Sequence, residues 1–216
     1  MLCDDGVTKA DANPKKLATL TKWQAGIAVE PRAAVHHCTG LQAVAGRRFI
    51  GSSQPVNQSI TIISGAQTGA DIAALDAALS SGTPCGGWVP ENRNNESGPI
   101  PPHYPVQPLP GAGYKQRMVR NITDTDATVI VYFSELEGGT ENTLIHCLRL
   151  KKPYKLVDAA AIPSAQASSQ IEAFVHKHHI HRLNIAGPRE SKQPEAYGYT
   201  HEMVKALIER LRGRQT

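Results

Sequence analysis

From residue 60 onward, short apolar runs alternate with stretches that are apolar on one side and polar on the other. The runs are Ile60 to Ile63, Thr128 to Phe133, Tyr154 to Val157 and Leu183 to Ala186, with a weaker one at Gly86 to Val89. They are continuous and rich in β-branched residues, the pattern of strands covered on both faces. The amphipathic stretches predict helices at about Asp71 to Ser80, Tyr114 to Ile122, Thr140 to Leu150, Ser168 to His179 and Tyr197 to Arg212. In the last of these, Met203, Leu207, Ile208 and Leu211 recur at helical spacing and would bury one stripe. Gly82 ends the first helix, and Lys151, Lys152 and Pro153 end the third. Strand, helix and strand in repetition predict an α/β fold: a Rossmann-like, doubly wound, mostly parallel sheet with helices on both faces.

One connection breaks the rhythm. Between Pro90 and Gly113 stand seven prolines with Gly98, Gly111 and Gly113, far more chain than the ~2 to 6 residues of an ordinary strand-to-helix loop. The prolines restrict the backbone, so the segment reads as a semi-rigid lid or wall beside a site. Residues 1 to 59 hold neither period for long. Apart from a short helix at Leu17 to Ile27, they read as a poorly ordered extension preceding a domain at 60 to 216.

Composition narrows the function classes. Hydrophobic residues at 40% and charged residues at 19% describe an ordinary globular chain. The net charge of +4 sits largely in residues 1 to 59, with seven Lys/Arg against four Asp/Glu, leaving 16 against 15 for the rest. No Lys/Arg run exceeds two, so nucleic acid is not an expected partner. No stretch approaches the ~20 apolar residues of a membrane span, and acidic Asp4 and Asp5 stand where a signal peptide needs positive charge. Cys3, Cys38, Cys85 and Cys147 form no C-x-x-C pair, which disfavours a zinc ribbon or a disulfide framework and leaves a reducing cytoplasm as the expected compartment.

In such a sheet, ligands bind beyond the carboxyl ends of the strands. Three segments there have suitable chemistry: Ser64-Gly65-Ala66-Gln67-Thr68-Gly69-Ala70-Asp71, then Gly138-Gly139-Thr140-Glu141-Asn142-Thr143, then Ala186-Gly187-Pro188-Arg189-Glu190-Ser191. Their glycines allow tight turns that aim N–H groups at an anion, the helices that follow favour negative charge, and Arg189 adds a guanidinium. For each alone the competing reading is a plain strand-to-helix turn, with Asp71 or Thr140 as an N-cap. The first loop lacks the Lys of a Walker A and is not G-x-G-x-x-G, which disfavours a nucleoside triphosphatase or an ordinary NAD dehydrogenase. The tract His176-Lys177-His178-His179-Ile180-His181 lacks zinc-site spacing and reads as a solvated helix end. Cys147, among Leu144, Leu148 and Leu150, reads as a small core residue, and Cys85 as a weaker candidate for the cleft.

The same residues resemble the molybdenum-cofactor carrier family, a SLOG-type branch of the Rossmann-like superfamily that also holds nucleotide sensors and the LOG phosphoribohydrolases. The resemblance rests on Gly65 to Asp71 with Ala74-Leu75-Asp76; Gly86-Gly87-Trp88 with Pro90, Arg93, Glu96, Gly98, Ile100-Pro101 and Tyr104-Pro105; Tyr114, Arg117, Asn121 and Asp126; Gly138-Gly139-Thr140 with Thr143; Lys152-Pro153; and Leu183 to Ser191. It runs in order from residue 60 to about 212. It implies a homo-oligomer, dimer or tetramer, that holds and protects the molybdenum cofactor without a covalent bond, does no catalysis, and meets molybdoenzymes or cofactor-synthesis proteins. The implied binding residues are Gly65, Ala66, Gln67, Thr68, Gly69, Asp71, Arg93, Glu96, Gly138, Gly139, Thr140, Thr143, Gly187, Arg189 and Ser191. The metal would arrive held by the pterin dithiolene, so no protein-ligated metal is expected.

The chain departs from the family pattern at Ile72, Glu91 and Asn94, where relatives tend to be basic. Two alternatives stay open within the superfamily. A phosphoribohydrolase acting on nucleoside monophosphates needs a carboxylate where Leu144 and Ile145 stand, leaving Glu141, Glu96 or Asp71 as substitutes. A nucleotide or nucleotide-sugar sensor would use the same loops.

Overall fold

The computed structural model describes residues 60–213; the readings made for residues 1 to 59 lie outside them. Strand β1 (Thr61–Ile63) leads into helix α1 (Ala70–Ser80), and β2 (Cys85–Val89) follows. Next come a two-residue ladder, β3 (Asn94–Asn95) with β4 (Gly98–Pro99), then β5 (Val106–Pro108) and α2 (Tyr114–Thr123). The chain continues through β6 (Ala127–Tyr132), α3 (Gly138–Arg149), β7 (Tyr154–Asp158), α4 (Ser164–His178), β8 (Arg182–Ala186) and α5 (Ala196–Gly213). Six strands form one sheet in the order β5-β2-β1-β8-β6-β7, and every pairing in it is parallel.

The apolar runs are central strands for a physical reason. In β6, Val129 and Val131 are buried in the large core beneath α1, α4 and α5, while Ile130 is buried on the other face with Ile122 of α2 and Cys147 of α3. A strand with a helical layer on each side has no water-facing edge to its pleat, so polar alternation would leave unpaired groups in the core. Buried Ile62, Leu183, Ile185, Met203, Leu207 and Ile208 extend the large core, each worth roughly 1.5 to 3 kcal/mol of apolar burial. The five alanines on the buried side of α1 let it lie close to α5 and the sheet.

The proline-rich segment differs from the lid foreseen for it. It supplies the outermost strand β5, which pairs with β2 through Val106 opposite Gly87 and Pro108 opposite Val89, and none of its residues between 90 and 113 lines the cavity described below. An edge strand tolerates prolines, since one side of its backbone needs no ladder donor. Arg93 organises the segment. Its guanidinium donates to the carbonyls of Ile100 (3.2 Å), Val106 (2.7 Å), Pro101 (3.2 Å) and Tyr104 (2.9 Å). Arg93→Ala is expected to lower stability by about 2 to 3 kcal/mol and to expose the segment to limited proteolysis; cleavage at the wild-type rate would contradict this role.

Asp76 on α1 ties three elements together. Its carboxylate accepts from Tyr104 Oη and Tyr197 Oη, each at 2.8 Å. Burial and this carboxylate hold both phenols protonated, with Tyr197 pushed up to about 12. The segment is thereby anchored to α1 and to the start of α5.

Candidate functional site

Strand β1 feeds α1 on one face of the sheet, and β6 feeds α3 on the other, with β8 between them. That reversal leaves a crevice past the strand ends, the place where open α/β sheets bind ligands. A cavity of about 550 Å³ fills it, within the usual range for small-molecule sites. Its wall is built from the loops after β1, β6 and β8 together with the first two turns of α2 and of α3.

Gln67 and Asp71 form the floor. Asp71 is buried and sits 3.3 Å from Arg117 Nη1 of α2. Burial holds the Asp71 carboxyl above the usual carboxylate range, against the pull of Arg117, the Gln67 N–H and the Ser64 hydroxyl. Arg117 reaches against the first loop, where a Cβ at Gly65 would stand 1.3 Å from its Nη1, so glycine there leaves room for the guanidinium in this position. Arg117 Nε, Gln67 Oε1 and Gln67 Nε2 are buried without hydrogen-bond partners. An unpaired buried polar group costs about 1 to 3 kcal/mol, so each needs a reason.

The wall, from floor to rim, carries charge of both signs. Lys115, Arg117, Arg189 and Lys192 line the cavity, as do Asp71, Glu135 and Glu137. The Arg189 guanidinium lies 5.1 Å from the Tyr114 ring centre, a cation–π contact that joins the loop after β8 to the start of α2. Asn121 bonds the backbone of Trp88 twice, accepting from its N–H at 2.8 Å and donating to its carbonyl at 3.0 Å. Asn184, a polar residue in central strand β8, donates to Thr128 Oγ1 at 3.2 Å.

Of the residues expected from sequence, Gly65, Gln67, Asp71, Gly138, Gly139, Thr140, Thr143, Gly187, Arg189 and Ser191 share this wall. Ala66, Thr68, Gly69, Arg93 and Glu96 do not line it. Thr68 and Glu96 instead form a clasp outside it: Glu96 accepts from the Thr68 hydroxyl and from the Ser191 backbone and hydroxyl. Burial would raise the Glu96 carboxyl, but these donors outweigh it and hold the group below its ordinary range. Ala66 is buried with φ 53°, and its carbonyl accepts from Asn95 Nδ2. Neither Asp71 nor Thr140 is an N-cap, since Gly69 and Glu137 hold those positions without a side-chain bond.

The implied binding residues leave out the α2 residues, Tyr132, Phe133, Glu135, Glu137, Asn142, Asn184, Pro188, Lys192 and Gln193, although Asn142 and Pro188 stand within the loop segments and Tyr114, Arg117, Asn121 and Asn184 within the resemblance. The isolated Asn184 between Leu183 and Ile185 was the available signal, because a polar residue in a doubly covered strand asks for a partner. The three departures from the family pattern lie away from the cavity: Ile72 packs in the core over β2 and β5, and Glu91 and Asn94 lie off the wall. Burial raises the thiols of Cys85 and Cys147, and neither lines the cavity. Among the described residues no group of three or more His, Cys, Asp or Glu is placed to hold a metal ion, and no helix is long and apolar enough to cross a membrane.

Residues 62–208 match the circularly permutated YpsA SLOG family. A solved structure, named as that of a putative molybdenum carrier protein from Syntrophus aciditrophicus SB, superposes with a TM-score of 0.68. It is 40% identical over a match that covers 69% of this chain and 96% of that one. No curated protein matches. Together with the parallel sheet and the crevice at its point of reversal, these matches identify the chain as a member of the circularly permutated YpsA SLOG family.

Proposed function

We propose that this cavity holds a phosphate-bearing small molecule without a covalent bond, and that the molecule is the molybdenum cofactor or a similar pterin phosphate. The observation that carries the reading is the composition of the wall. Four cationic side chains face three acidic ones, and one of these, Asp71, is held toward its neutral form by burial. The backbone N–H groups of Gly138 and Gly139, at the start of α3, offer donors to a phosphate, and Arg189 and Lys192 a matching charge. The likeness to a protein named for molybdenum carriage supports the choice of cargo. The metal belongs to that cargo, bound by the pterin dithiolene, so the protein's task is to enclose it and keep water and oxidant away.

Binding is favoured over cleavage of a nucleoside phosphate. Glu141 is exposed on α3 and off the wall, Glu96 is engaged by Thr68 and Ser191 outside it, Asp71 is paired with Arg117, and Leu144 packs against the core shared by α2 and α3. When the purified protein is mixed with the cofactor, co-elution and slower cofactor oxidation are expected. Identical decay with and without protein would end the proposal. Arg189→Ala should weaken binding by roughly 10- to 150-fold, the worth of one charge-assisted contact. Assembly into a homo-oligomer belongs to the same reading, and subunit mass measured with and without cofactor tests it.

A further inference from the structure

Gln67 is buried on the cavity wall, and neither atom of its side-chain amide has a partner in the protein. Its backbone, in contrast, is fully engaged: the N–H donates to Asp71 Oδ2 at 3.3 Å, and the carbonyl accepts from Ile72 N at 3.0 Å. The turn is pinned on both sides, by Ala66 at φ 53° and Gly69 at φ 71°. The backbone is held, and no hydrogen bond keeps the side-chain amide where it is.

The other amides on the wall are accounted for. Asn121 holds Trp88, Asn184 holds Thr128, Asn142 donates to the Gly138 carbonyl, and Gln193 bonds Glu195. Among the described residues, Gln67 is the amide on this wall whose two ends are both unused. Burial without partners destabilises the free protein, which makes the group an expense unless a ligand completes it.

A primary amide presents a donor and an acceptor side by side. It complements a ring edge bearing the reverse pair, such as the lactam N–H and C=O of a pterin or guanine, or the ring nitrogen and amino group of adenine. We infer that Gln67 turns its amide from the wall into the cavity and reads the edge of a fused-ring nitrogen heterocycle through two parallel hydrogen bonds, while the cations at the rim take its phosphate. This rests on the binding function proposed above and assigns its ring-recognising residue. Gln67 selects for the heterocycle and the rim for the charge.

The test uses the full chain and the variants Gln67→Met and Gln67→Asn. Each is titrated calorimetrically with a pterin phosphate ester, guanosine monophosphate, adenosine monophosphate and inorganic phosphate, and melted without ligand. Methionine matches the shape of glutamine and carries no amide, so Gln67→Met is expected to raise the melting temperature of the free protein. It should also lose roughly tenfold to a hundredfold in affinity for the ring-bearing probe that wild type binds best, a loss at least tenfold larger than for inorganic phosphate. Gln67→Asn withdraws the amide by one methylene and should lose ring affinity without gaining stability. The probe with the greatest loss separates pterin from purine. Wild-type affinity for a ring retained in Gln67→Met, or a lower melting temperature in that variant, overturns the assignment and leaves the proposed cavity function standing. Failure of wild type to bind any ring-bearing phosphate overturns both.

Discussion

Gly69→Ala is expected to destabilise the fold by about 3 kcal/mol or more and to abolish cofactor co-elution. Gly69 has φ 71° and ψ −124°, a region that residues with a Cβ enter only at a cost. Space is short as well. An added Cβ would stand 2.6 Å from the Pro188 carbonyl oxygen, 2.7 Å from the Glu190 nitrogen and 2.9 Å from the Arg189 carbonyl carbon. These are backbone atoms, so relief requires the loop after β8 to move away from the loop after β1. That movement would also strain the Ala70 N–H bond to the Pro188 carbonyl, 3.2 Å, and the Thr68–Glu96–Ser191 clasp. Gly69 thus shapes the cavity without lining it. Urea denaturation beside the co-elution assay measures both effects, and a midpoint unchanged from wild type would refute the argument. Gly139 provides the contrast. It lines the cavity, has no positive φ and would meet nothing within 4 Å, so Gly139→Ala should leave stability within about 0.5 kcal/mol of wild type. Any loss of binding in that variant reports on ligand contact alone.

The strands that bear the cavity were legible because burial on both faces forces a continuous apolar run. β6, β7 and β8 lie within a residue or so of their expected limits. Helix α4 begins at Ser164, four residues before the expected start, because Pro163 holds the N-cap position and Ala165 and Gln166 show no apolar period. Helix α3 begins at the glycine pair that was read as a preceding turn. β5 was hidden by its composition: Pro105 and Pro108 flank Val106 and Gln107, and prolines in a run speak against a strand unless it lies at an edge. Loop chemistry was legible at Gly65, Gln67, Gly138 and Arg189, since their positions follow directly from the ends of strands. The α2 contribution was not, because α2 reaches the crevice only through the crossover from β5 to β6, which passes three strands of the sheet. Arg93 is the opposite case: the resemblance implies a binding residue, and here its guanidinium donates to four carbonyls of a segment whose prolines supply few donors.

Arg117→Met is expected to cost about 3 to 5 kcal/mol near pH 8 and much less near pH 4. Arg117 and Asp71 side chains are 12% and 7% exposed, and their contact at 3.3 Å is a single one, with Arg117 Nε unpaired. Removing the cation leaves a carboxylate in the floor with the Gln67 N–H as its remaining hydrogen-bond donor. Burial already holds Asp71 above the ordinary carboxylate range with Arg117 present, and without Arg117 the group must rise further. A carboxyl raised in the folded state binds its proton more tightly there than in the unfolded chain. Its contribution to stability is therefore complete below the unfolded value and lost as pH climbs through the folded one. The deficit of Arg117→Met relative to wild type should accordingly widen from acid toward alkaline pH in urea titrations. A deficit equal at both ends would show that lost packing against Gly65 dominates. The double variant Asp71→Asn with Arg117→Met removes the orphaned charge and should recover most of the alkaline loss, as expected when an uncompensated buried ion is the cause. The ion pair is then a costly element of the floor, and its place under a cavity lined by cations is what a ligand-binding function would explain.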